Sequence, residues 1–205
     1  MIYQIKPIIG NISKDNLIKY IKEDNWLTEY KFTKKFEKKF SSYTKSKHCI
    51  VFPNGTLTMS SVISCLDLKK NSEVLVSNST MVATANVVKF TNLKLKLVDI
   101  SSENLCMCPK DLEKKISKFS KVVIYTHMNG RIGEIIKIRN ICKKYNLFLI
   151  EDSAHAIGSY YKNKHVGNFG IAGSFSFSMP KLITMGQGGA IVTNNTSLAK
   201  KLRLY

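Results

Sequence analysis

The spacing of apolar side chains divides the chain in two. Leu17, Ile18 and Ile21 fall at helical spacing and predict a helix over 14–24. Asn25-Trp-Leu-Thr28 reads as a turn and holds the single tryptophan. Phe32, Phe36, Phe40 and Tyr43 follow at four- and three-residue steps with lysines between them, which predicts an amphipathic helix over 31–43 with a core-facing stripe. Residues 1–45 are thus expected to form an N-terminal helical segment.

From residue 46 the pattern changes. Short apolar runs at 48–52, 73–77, 95–99, 121–126 and 147–151 predict strands, with helical patterns at 56–68, 81–90 and 109–118. A further helix before residue 147 sets Ile135, Ile138, Cys142 and Tyr145 on one side. Repeated βα units predict an α/β domain over 46–205, a mostly parallel sheet covered by helices. Ligands of such sheets gather beyond the carboxyl ends of the strands. Polar turns stand at those ends: Pro53-Asn-Gly-Thr56, Asn78-Ser-Thr80, His127-Met-Asn-Gly-Arg131 and Glu151-Asp152. Helix capping accounts for any one of them; their shared edge is what marks a candidate site. The chain stops at Tyr205 within what reads as a helix, without a cap or following strand, so a longer protein is expected.

Composition narrows the class. At 205 residues with 44% apolar content the chain can bury a full core, and no window approaches eighteen consecutive apolar residues. The N-terminus lacks the order of a signal peptide. Five cysteines at irregular spacing form neither a zinc tetrad nor an even disulfide set, which fits reduced, structural thiols of a cytoplasmic protein. The formal charge of +18 invites a nucleic-acid partner. Only Arg131, Arg139 and Arg203 among 32 basic residues are arginine, however, and the lysines form no single block. An anionic substrate fits the charge better, and no nucleic acid is expected.

The chemistry concentrates at 173–193. Lys181 lies between a serine-rich strand (Ser174, Ser176, Ser178) and a glycine-rich turn (Gly186, Gly188, Gly189), about thirty residues after the acidic strand end Glu151-Asp152. That frame matches the needs of a pyridoxal 5′-phosphate site. A lysine carries the cofactor and moves a proton, a carboxylate holds the pyridine nitrogen protonated, and hydroxyls with N–H groups at a helix start receive the phosphate.

In their order and spacing, several segments resemble the DegT/DnrJ/StrS family of sugar aminotransferases, continuously from about Asn25 to Tyr205. These are Asn25-Trp-Leu-Thr28, Asn54-Gly-Thr56, Thr80-Met-Val-Ala-Thr84, Val98-Asp-Ile100, His127-Met-Asn-Gly130, Glu151-Asp-Ser-Ala-His-Ala156, Ser174-Phe-Ser-Phe177 and Lys181 to Gly189. The resemblance implies the large domain of a fold-type I enzyme, with a mostly parallel seven-stranded sheet. It implies that Lys181 forms the Schiff base and Asp152 pairs with the pyridinium nitrogen. His155 would lie near the 3′-oxygen, and Met81 would stack on the ring where many members have an aromatic residue. Ser176 and Thr56 would bind phosphate with the backbone around Gly55 and Leu57.

The resemblance further implies transfer of an amino group from glutamate or glutamine to a nucleotide-linked keto sugar, by a homodimer with shared active sites. A dehydratase branch has histidine in place of Lys181, so the lysine favours transamination. Asn129-Gly-Arg131 with Met81 resembles perosamine synthase-like members. Tyr30 stands in place of a usual glycine, Asn71-Ser-Glu73 in place of Gly-Asp-Glu, Ser77 in place of proline, and Gln187 in place of glutamate. Family members continue for well over a hundred residues into a small C-terminal domain. The alternatives are a non-catalytic remnant that keeps the fold and a basic nucleic-acid binder.

Overall fold

The computed structural model describes residues 10–23 and 31–205; the turn at 25–28 and Tyr30 lie outside them. Two helices lead, α1 (Asn11–Glu23) and α2 (Lys31–Thr44). A βα series follows: β1 (His48–Phe52), α3 (Gly55–Ser64), β2 (Glu73–Ser77), α4 (Val82–Phe90), β3 (Lys94–Val98), α5 (Pro109–Lys115), β4 (Ser120–Thr126), α6 (Ile135–Lys144) and β5 (Phe148–Asp152). A two-stranded hairpin, β6 (Tyr160–Tyr161) with β7 (Lys164–His165), precedes β8 (Ala172–Ser176), β9 (Gly189–Thr193) and α7 (Thr196–Leu204). No described helix is long and apolar enough to cross a membrane.

Seven strands form one sheet in the order β1-β9-β8-β5-β4-β2-β3. The pairs β3/β2, β2/β4, β4/β5 and β5/β8 are parallel, whereas β9 is antiparallel to both β8 and β1. Only β9 therefore runs against the others. The carboxyl ends of the remaining strands and the start of β9 share one edge, which gathers the polar turns read from the sequence.

The alternation of strand side chains divides the core between the two faces. Val74, Val76, Val122, Ile124 and Ile150 pack with Met59, Val62, Val87 and Leu198 of α3, α4 and α7. Leu75, Val123, Tyr125 and Leu149 point the other way, onto Leu112 of α5 and Ile135 and Ile138 of α6. Beyond them α2 covers β8 and β9, with Phe40 edge-on to Phe175 and Phe177.

Three expectations shift. The α3 helix closes at Cys65 rather than at residue 68, and α5 at Ile116 rather than 118. Tyr145 leaves the α6 stripe because it caps the helix; its hydroxyl donates to Glu113 over 3.0 Å and it stays 38% exposed, while Ile135, Ile138 and Cys142 are buried. The aromatic stripe of α2 is only partly core, since Phe32 and Tyr43 remain exposed. All five cysteines are free thiols.

Candidate active site

The shared edge of the sheet encloses a cavity. Its floor comes from the ends of β4, β5 and β8 (Thr126, Asp152, Ser176), one wall from the starts of α3 and α4 (Gly55, Thr56, Thr80, Met81, Thr84), and another from His155 and the β8–β9 loop with Lys181.

The α3 wall depends on two close approaches. A Cβ on Gly55 would lie 2.9 Å from Ser176 Cβ, and one on Gly189 would lie 2.5 Å from the carbonyl of Asn54. Glycine at both positions lets the start of α3 press against β8 and β9. Hydrogen bonds tie the two together, Thr58 with Ser174 and Ser174 Oγ to the Gly55 carbonyl at 3.3 Å. The Asn54 side chain caps α3 by accepting the Leu57 N–H at 2.9 Å. That leaves the N–H groups of Gly55 and Thr56, which no intrahelical carbonyl can satisfy, at the cavity.

Neighbouring carboxylates at the end of β5 take opposite sides. Glu151 is fully buried and accepts four hydrogen bonds: His127 Nε2 at 2.9 Å and the Gly167 N–H at 2.7 Å on Oε2, the Phe169 and Gly170 N–H groups at 2.6 and 2.8 Å on Oε1. It binds the 165–170 loop to the sheet. Asp152, one residue on and 4% exposed, faces the cavity. It accepts from Thr84 Oγ1 at 2.7 Å and the Ala154 N–H at 3.2 Å. Two donors leave room for another on a group with about four acceptor positions.

Lys181 is half-buried, and its loop is anchored by Phe177 N–H to Gly188 O and Met185 N–H to Phe177 O, both 2.8 Å. Burial holds its ammonium below the usual lysine value, with Asp152 pulling the other way. His155 is likewise lowered, first by desolvation and then by the nearby Lys181 charge. A buried carboxylate, a lysine eased toward its neutral form and free helix N–H groups beside a serine hydroxyl now border one space.

A family model described as the DegT/DnrJ/EryC1/StrS aminotransferase family matches residues 9–205. The chain belongs to that family. An uncharacterized protein of Methanocaldococcus jannaschii is 35% identical over 199 residues, which are 97% of this chain and 51% of that protein. The X-ray structure of an aminotransferase from Psychrobacter cryohalolentis superposes with TM-score 0.94 at 27% identity, covering 97% of this chain and 51% of the other. Helicobacter pylori PseC, an aminotransferase of pseudoaminic acid biosynthesis, gives TM-score 0.93 at 29% identity, covering 97% and 54%. The chain spans about half the length of these relatives.

Enzymes of the DegT family use pyridoxal 5′-phosphate. The residues present fit that group. A Cβ at Gly55 would fill the cleft between α3 and Ser176, and Asp152 is a buried carboxylate facing the cavity with acceptor capacity to spare. Of the residues singled out from the sequence, Gly55, Thr56, Met81, Asp152, His155, Ser176 and Lys181 line the cavity. Leu57 does not; its side chain is exposed and its N–H is held by Asn54. In the sequence Thr80 and Thr84 stand in a polar turn and a family motif but carry no assigned role, and Thr126 is only the end of a strand. The four-residue step from Thr80 to Thr84 at a helix start was the available signal, since it sets both on one face.

Proposed function

We propose that the protein is a pyridoxal phosphate-dependent aminotransferase that moves an amino group from glutamate or glutamine to a keto group of a nucleotide-linked deoxy sugar, for amino-sugar and polysaccharide biosynthesis. The observation that carries this reading is Lys181, half-buried on a cavity whose floor holds Asp152 and whose wall is the start of α3. When bound, the cofactor supplies an electron sink for the carbanion that forms where nitrogen is lost or gained.

The chain's own groups do the rest. Lys181 Nζ would hold the cofactor and, once released from it, would take the proton from the donor's carbon and deliver it to the cofactor's carbon, a role suited to an amine lowered toward neutrality. Asp152 would accept from the protonated ring nitrogen and keep the proton there. Ser176 Oγ, Thr56 and the N–H groups of Gly55 and Thr56 would donate to the phosphate, helped by the positive end of α3. Met81, 62% exposed at the start of α4, would support the ring face with a polarizable sulfur, and His155, on the cavity wall, would serve the 3′-oxygen.

The large formal charge of +18 suits a diphosphate-bearing substrate. Exposed Val82, Leu182 and Ile183 beside the site support a homodimer with shared active sites, and five free thiols fit a cytoplasmic setting. The test is an assay with pyridoxal phosphate, labelled glutamate or glutamine, and a panel of nucleotide-linked keto sugars. Transfer of the label to sugar is expected. Loss of a sugar hydroxyl without nitrogen transfer would overturn the proposed reaction.

A further inference from the structure

Three threonine hydroxyls run in series behind Asp152, and nothing in the proposed chemistry uses them. Thr126 ends β4, Thr80 lies in the loop after β2, and Thr84 is in the first turn of α4. Thr126 and Thr80 are 3.1 Å apart at their hydroxyl oxygens, Thr80 and Thr84 another 3.1 Å, and Thr84 reaches Asp152 Oδ2 at 2.7 Å. Thr84 is fully buried and Thr126 is 6% exposed.

The donor inventory gives this series a direction. An ionised carboxylate only accepts, and each hydroxyl has one proton. Thr84 therefore spends its proton on Asp152 and must accept from Thr80. Thr80 has then no proton left for Thr126, so Thr126 donates to Thr80. Every bond in such a one-way series polarises the next toward the carboxylate. Thr80 and Thr84 belong to the segment that opens α4 and Thr126 to β4, so the series also fixes where Oδ2 of Asp152 lies relative to α4 and β4.

We propose that Thr84, backed in series by Thr80 and Thr126, is a positioning residue that locks the Asp152 carboxylate for its bond to the cofactor's ring nitrogen. This rests on the reading of Asp152 and Lys181 given above. Removing the Thr84 donor frees Oδ2 and loosens the carboxylate's hold on the ring. Removing Thr126 acts only through Thr80 and Thr84, so its effect depends on the Thr84 hydroxyl.

The experiment measures pyridoxal phosphate affinity and the visible absorption band of the bound cofactor in Thr84→Val, Thr84→Ser, Thr126→Val and the double variant Thr84→Val/Thr126→Val. Thr84→Val is expected to weaken affinity roughly tenfold or more, the scale of one hydrogen bond to a charged group, and to move the band. Thr84→Ser restores both. Thr126→Val alone weakens affinity by a few-fold, and adds nothing in the Thr84→Val background. Multiplicative effects in the double variant, or an unmoved band in Thr84→Val, would overturn the proposal while leaving the Lys181 reading intact. Failure of the wild type to give a borohydride-stable cofactor adduct at Lys181 would overturn both.

Discussion

Glu151 and Asp152 are adjacent, both carboxylates and both buried, yet they do different work. Strand alternation sends Glu151 to one face of β5, where four donors and the 165–170 loop saturate it. Asp152 is sent to the other face, with one hydroxyl, one N–H and a cavity. A saturated buried carboxylate is a fastener. An unsaturated one beside a half-buried lysine has capacity to hold a ligand. The difference lies in donor count and in direction, not in residue type or depth.

Exchange variants break this comparison most sharply. Asp152→Asn keeps the shape but loses the charge that would hold a protonated ring nitrogen, so turnover should fall roughly a hundred- to thousandfold, the cost of losing one preorganised electrostatic partner. Its urea midpoint should change little. Glu151→Gln should do the reverse in kind. Whichever way the amide is turned, its NH2 faces a backbone N–H at Gly167 or at Phe169 and Gly170. The loss should be about 3 kcal/mol of unfolding free energy, the lower end for breaking a buried charged pair, read by urea or thermal denaturation. A Glu151→Gln variant with native stability would show that the two carboxylates are not divided as described.

Gly55→Ala probes the opposite wall. Its methyl would meet Ser176 Cβ at 2.9 Å, neither being the end of a flexible side chain. A cost of about 1–3 kcal/mol is expected from overpacking, along with weakened binding of inorganic phosphate or cofactor. The pH dependence should be the gentlest effect. Because burial lowers Lys181, its neutral amine becomes available at lower pH than in free lysine, so the rate of covalent cofactor uptake should rise through a midpoint below the free-lysine value. Asp152 raises Lys181, so Asp152→Asn should move that midpoint lower still.

Much of this was legible in the sequence. Apolar runs set β1 and β2 to the residue, and the serine, lysine and glycine order at 174–189 located the loop between β8 and β9. Asp152 stood out at an acidic strand end about thirty residues before Lys181, in a motif whose resemblance implies a bond to the ring nitrogen. What escaped were facts fixed by neighbours distant in sequence. The saturation of Glu151 depends on a loop sixteen to nineteen residues on, and the Thr84 bond spans 68 positions. The side chain of Asn54 occupies the Leu57 N–H, a local competition that spacing does not reveal. Tyr145 follows the α6 period but falls just past the helix as its C-cap, where its hydroxyl turns to Glu113.

The most direct measurement is to incubate the protein with pyridoxal phosphate, reduce with borohydride, digest, and locate the adduct by mass spectrometry. A single dominant adduct is expected on Lys181, absent in Lys181→Ala. Label spread over the surface lysines, and unchanged by Lys181→Ala, would contradict it.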